Sequence, residues 1–124
     1  MKKQHVGEIG EKLAVEFLKK RDFRIIQRNY RCPHGEIDII ATKKDTLIFI
    51  EVRTRTSSTY GAPEESITAF KKEKMVSSAL YYCSHHSDLP PNWRIDFVAV
   101  ELDGVQNKVK RIEHFESAVN QGCF

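Results

Sequence analysis

The sequence predicts a mixed α/β fold, an αβββαβ core with a central sheet flanked by helices. Three observations carry that reading: an apolar stripe at helical spacing near the start, isoleucine-rich segments separated by turn residues, and a second helical stripe followed by an alternating strand. With 124 residues, 40% of them hydrophobic, and a net charge of +3, the chain is expected to form one domain, residues 1–124, around a single core. The core is expected over about 5–102, with an edge strand and tail in 103–124. That composition excludes a disordered chain, and three cysteines, an odd count, argue against a disulfide scaffold. No apolar stretch approaches the roughly 20 residues that span a bilayer. No apolar segment follows the basic start Met1-Lys2-Lys3, so a cytoplasmic protein is expected.

Each element has a local reason. Ile9, Leu13 and Phe17, with Val6, Ala14 and Leu18, recur at helical spacing and predict an amphipathic helix over about 5–21. Phe23 to Tyr30 reads as a strand, ended by the turn Cys32-Pro33-His34-Gly35. Glu36–Thr42 and Thr46–Arg55 follow as strands around the polar turn Lys43-Lys44-Asp45. Thr56 to Pro63 is a Ser/Thr/Gly-rich connection. Ile67, Phe70, Met75, Ala79 and Tyr82 then predict a second helix over about 64–84. Trp93 to Leu102 alternates as a strand, and Lys108 to Phe115 reads as a short edge strand after Asp103-Gly104.

Carboxylates inside isoleucine runs are out of place in a strand built for a core, yet Ile37-Asp38-Ile39-Ile40 and Ile50-Glu51-Val52-Arg53 both contain one. A hairpin closed at Lys44-Asp45 sets Thr42 against Leu47, Ile40 against Phe49, Asp38 against Glu51 and Glu36 against Arg53. Ile37, Ile39, Ile48, Ile50 and Val52 then share one apolar face. Asp38 and Glu51 would lie opposite with β-carbons about 5 Å apart, where like charges destabilise a sheet. A divalent cation offsets that repulsion, and convergent carboxylates suit Mg²⁺ or Mn²⁺. Arg53, on the same face, is placed to contact a phosphate, which completes the parts needed for phosphodiester hydrolysis. The residues equally allow a solvated sheet face, with the acids paired to Arg53 and Arg55. Charge distribution adds a second hint: residues 1–31 hold nine Lys/Arg against four acids, a balance that fits a polyanion partner or, equally, a solvated helix face.

The order Asp38, twelve residues, Glu51-Val52-Arg53 resembles the PD-(D/E)XK nuclease signature. More closely, the chain resembles the YraN family, small bacterial proteins predicted to be endonucleases related to archaeal Holliday junction resolvases. The matching segments include Gly10-Glu11-Lys12-Leu13-Ala14, Gly35-Glu36-Ile37-Asp38-Ile39-Ile40, Phe49 to Arg55, Tyr60 to Glu65, Ile67-Thr68 with Lys71, and Arg94 to Val100. The resemblance implies a restriction-endonuclease-like fold and Mg²⁺- or Mn²⁺-dependent cleavage of DNA, with branched or otherwise structured DNA as substrate and shape rather than sequence read. It also implies that Glu11 joins Asp38 and Glu51 as a metal ligand, and that a homodimer would present two sites to two strands. Asp38, Glu51 and Arg53 are the expected catalytic residues; Arg53, Arg55, Tyr60 and Lys71 are the expected nucleic-acid contacts.

One departure stands out. The superfamily's third motif residue is usually Lys, and here it is Arg53, whose pKa above 12 makes it a poor proton acceptor. That leaves an alternative, a catalytically weak or inactive nuclease-fold module that binds nucleic acid or a protein partner. Glu36 reads as a strand-face acid paired to Arg53, and Asp96 is left outside the metal site. Cys32-x-His34 and Cys83-x-His85-His86 lack the spacing of a structural zinc site.

Overall fold

The computed structural model describes residues 5–56 and 61–118. Its elements are α1 (His5–Lys19), β1 (Arg24–Cys32), β2 (Gly35–Lys43), β3 (Thr46–Arg55), a 3₁₀ turn (Pro63–Ser66), α2 (Ala69–Ser84), β4 (Asn92–Leu102) and β5 (Val109–Phe115). The five strands lie in chain order in one sheet. All neighbours are antiparallel except β3 and β4, which run parallel because α2 carries the chain back across the sheet between them. This is the mixed α/β architecture of a restriction-endonuclease-like core.

A helix covers each face of the sheet. Ala14, Val15 and Leu18 of α1 pack on Ile39, Ala41, Ile48, Ile50, Val98 and Val100, with Val52 at the margin. On the other face, Met75, Ala79 and Tyr82 of α2 pack on Ile37, Ile40, Leu47, Phe49 and Ile95. β3 and β4 are central, buried from both sides, and therefore read as near-continuous apolar runs. α1 approaches β3 closely at Gly10, where any Cβ would collide with the Thr54 side chain. Among the described residues, no helix is long and apolar enough to cross a membrane.

Three expectations need correction. The second helix does not run from 64: the chain makes a 3₁₀ turn at Pro63–Ser66, extends through Ile67 and restarts at Thr68, whose hydroxyl accepts the Lys71 N–H at 3.1 Å as an N-cap. Phe70, expected in the core, is 68% exposed, since the α2 core stripe begins only at Met75. Ile37 packs with Ile40 and Tyr82 on the α2 face instead of joining Ile39 on the α1 face. The alternation of β2 breaks at Asp38, next to Asn29 of β1, which takes a left-handed conformation (φ 55°).

Candidate functional site

The break in β2 creates the site. The β2–β3 ladder follows the expected register through Thr42–Leu47, Ile40–Phe49 and Ile39–Ile50, and its last pair is Ile39–Ile50. Asp38 and Glu51 therefore do not form the expected cross-strand pair, nor do Glu36 and Arg53. Two residues beyond Ile50, the Val52 N–H donates to the Asp38 carboxylate (Oδ2, 2.8 Å) in place of a β2 carbonyl. A side chain has taken over a ladder hydrogen bond, and the strands part around it.

Glu51 lies on the α2 side of β3, 5% exposed. Its Oε2 is 3.3 Å from Lys71 Nζ, in the first turn of α2, and 3.4 Å from Arg53 Nε. Arg53 Nε is buried and makes no hydrogen bond, so its link to Glu51 is an ion pair of imperfect geometry. Asp38 feels this surrounding directly. Burial first, then the Glu51 charge and, more weakly, Glu11 push its carboxyl up to about 7, against the opposing Val52 hydrogen bond and Lys71. A carboxyl held that high is one whose negative charge lacks sufficient compensation.

Glu11 comes from α1, one residue after the tight Gly10 contact. Its Oε1 accepts a hydrogen bond from Arg28 Nη2 of β1 at 2.9 Å. An open groove of about 990 Å³ runs between α1 and the diverging strands, lined by Glu11, Arg28, Arg31, Asp38 and Arg53 among others. Glu36 also lines it rather than pairing with Arg53. Among the described residues, no three His, Cys, Asp or Glu side chains converge as a ready metal cluster. The donor chemistry nevertheless fits a hard divalent cation: Asp38 and Glu51 offer only carboxylate oxygens, Asp38 carries uncompensated charge, and Glu11 is within electrostatic reach.

The sequence-predicted residues thus divide. Asp38, Glu51, Arg53 and Lys71 are brought together, and Glu11 stands beside them on Arg28. Arg55 sits further along β3 in register with Glu101. Tyr60 lies outside the described residues. Sequence reasoning missed Arg28 and Arg31 as groove residues. The excess of basic residues in 1–31 was their only signal, because a strand cation gives no indication of what it will face.

Asp96 of β4, left out of the site on sequence grounds, has a different environment. It is fully buried, and both its oxygens are occupied: Arg94 Nε (2.9 and 3.2 Å), His114 Nε2 (2.7 Å) and the Ser117 N–H (2.9 Å). Burial alone would raise its pKa, but these hydrogen bonds prevail and hold it below the usual carboxylate value.

Comparison with known proteins places the chain in one family. The model of an uncharacterised protein family, UPF0102, matches residues 10–100, a span that begins one residue before Glu11 and contains Asp38, Glu51, Arg53 and Lys71. The chain belongs to the UPF0102 family. This is the YraN family of the sequence resemblance. A UPF0102 protein of Moorella thermoacetica is 42% identical over 118 residues, covering 95% of this chain and 98% of the relative. Others from Pelotomaculum thermopropionicum (40% over 113 residues, 91% and 93% covered) and Geobacter metallireducens (37% over 113, 91% and 90%) are similar along nearly their whole length.

Proposed function

We propose that this UPF0102 chain is a Mg²⁺- or Mn²⁺-dependent nuclease that hydrolyses DNA phosphodiester bonds, with branched or otherwise structured DNA as its substrate class. The observation that carries the reading is the close approach of two acids at the strand break, with Asp38 poorly matched by donors. Asp38 is pushed up to about 7 beside the buried Glu51, while two cations, Lys71 and Arg53, flank the same carboxylate. Structural acids are normally matched by donors; Asp38, which lines the groove, has one backbone N–H. Asp38 and Glu51 would hold the metal, joined by Glu11. When bound, the ion would polarise the phosphoryl group and lower the pKa of a coordinated water.

The chain's own residues supply the rest. The Val52 N–H fixes the orientation of the Asp38 carboxylate, so one oxygen is held by backbone while the other is left for a ligand. Arg53 lines the groove and would offer its exposed guanidinium end to a phosphate oxygen as a fixed positive charge, while its buried Nε stays beside Glu51. Lys71 brings an ammonium to Glu51 from α2, so the site has a lysine although β3 does not provide it. Groove cations on β1 would hold the backbone of the nucleic acid without reading bases.

Thermal unfolding with and without Mn²⁺ or Mg²⁺ tests the site first. A ligand that binds only the folded state at about 100 times its Kd adds about 2.7 kcal/mol. A metal-dependent rise in the natural protein that is lost in Asp38→Asn is expected, followed by metal-dependent cleavage of branched DNA. Absence of both would reject the reading. Arg53 favours the second reading, a module that binds nucleic acid without turnover. That reading predicts salt-sensitive DNA binding with no cleavage in any metal, and far higher activity in Arg53→Lys.

A further inference from the structure

We propose that Arg28 is a substrate-operated gate on Glu11: its guanidinium holds the third carboxylate away from the Asp38–Glu51 pair until a nucleic-acid phosphate takes the guanidinium away. The proposal rests on the nuclease reading above and assigns a role to a residue outside the signature motif.

Glu11 is 14% exposed and its Oε1 accepts from Arg28 Nη2 at 2.9 Å, which balances part of its charge. Its charge nevertheless reaches Asp38, yet among the described residues no three acids converge as a metal cluster. Glu11 is thus near enough to act on Asp38 but is engaged by Arg28. The Arg28 side chain is 43% exposed and lines the groove with Arg31, Lys12 and Arg53, so a phosphate that enters meets it early.

The chemistry makes the contact switchable in one way only. Arginine stays charged at any physiological pH, so a proton cannot release Glu11; a competing anion can. Phosphate is well suited to do so, because its oxygens accept the guanidinium bidentately. Once freed, Glu11 adds an unpaired charge beside Asp38, an arrangement that like-charge repulsion opposes unless a divalent cation is present. Phosphate and cation therefore favour the same rearranged state, and each must tighten the binding of the other by an equal factor. The device restrains metal binding by the free protein and completes the site when nucleic acid is in place.

Mn²⁺ affinity, measured by isothermal titration calorimetry with and without a short phosphorothioate DNA duplex, tests this in the full chain. Arg28→Gln is expected to bind Mn²⁺ about tenfold more tightly than the natural protein when DNA is absent. DNA should tighten Mn²⁺ binding by a similar factor in the natural protein and by less than about twofold in Arg28→Gln. The gain in Arg28→Gln should vanish when combined with Glu11→Gln. Arg31→Gln removes a positive charge from the same groove without touching the Glu11 pair; it should weaken DNA binding yet keep the Mn²⁺ gain once the duplex is saturating. Unchanged Mn²⁺ affinity in Arg28→Gln, or a gain that survives Glu11→Gln, overturns the gate while leaving the metal site standing. No Mn²⁺ binding by any form, with or without DNA, overturns the nuclease reading and the gate with it.

Discussion

Asp38 and Asp96 are both acids set into apolar strands of one sheet, and the protein treats them in opposite ways. Asp96 meets an arginine, a histidine and a backbone N–H, and its carboxyl is held below the usual value. Asp38 meets one backbone N–H and the charges of Glu51 and Glu11, and its carboxyl is pushed up to about 7. Burial penalises the charged form in both places, so it cannot account for the difference. The partners do. An acid supplied with donors ties β4 to β5 and the following turn; an acid left short of them lies at the edge of a groove, where the proposed cation would complete it.

The largest expected effect is on the Asp96 side. Asp96→Ala leaves Arg94 and His114 without their acceptor in a buried setting, a loss of about 3–5 kcal/mol by denaturant unfolding. The pH dependence has a defined sign. Because the folded-state pKa is depressed, Asp96 contributes stability that is present above the ordinary carboxylate value and is lost as pH falls through the lower, folded one. Asp96→Asn should flatten that acid limb. If Asp96→Ala unfolded at the natural denaturant midpoint, the supposed strut would not be one.

Asp38 should give the opposite slope. Its folded pKa of about 7 lies above the ordinary value of 3.8, so the folded protein binds the extra proton between those values. Stability is therefore fully present below about 4 and is lost as pH rises towards 7. Asp38→Asn keeps an oxygen to accept the Val52 N–H and removes the charge. Without metal, the variant should be more stable than the natural protein by on the order of 1–3 kcal/mol at pH 8, with the advantage shrinking towards pH 5. Saturating Mn²⁺ should reverse the order. A variant less stable than the natural protein at pH 8 in chelator would show that the repulsion is already compensated by other means.

Much of this contrast was legible in the chain. The isoleucine spacing of β2 and β3 located the hairpin and its register down to Ile39–Ile50, and the two misplaced acids marked the site. The point at which the ladder stops was not legible, because a rule of alternation has no term for a carboxylate that replaces a carbonyl as acceptor. Ile37 was misassigned for the same reason. The split between the 3₁₀ turn and α2 was written at Thr68, an N-cap residue that the apolar spacing of Ile67 and Phe70 overrode. Two of the three partners of Asp96 lie 18 and 21 residues away at His114 and Ser117, brought to it by a strand pairing that no local pattern specifies.

That N-cap gives the smallest test and separates positioning from packing. Thr68 starts α2 by accepting the Lys71 N–H, and Lys71 is the residue that carries an ammonium to Glu51. Thr68→Ala should cost about 1 kcal/mol of stability, the ordinary loss of a cap, while Asp96 and its partners stay as they are. Its effect on the site should be out of proportion to that loss. A frayed first turn loosens Lys71, removes one of the charges that now lower the Asp38 pKa, and should move the Asp38 titration, followed by carboxyl carbon NMR, upward from about 7. Thr68→Ser, which keeps the hydroxyl, should restore both. If Thr68→Ala lowered stability but left the Asp38 titration unmoved, Lys71 would not depend on the cap, and the cation beside Glu51 would be held by packing along α2 alone.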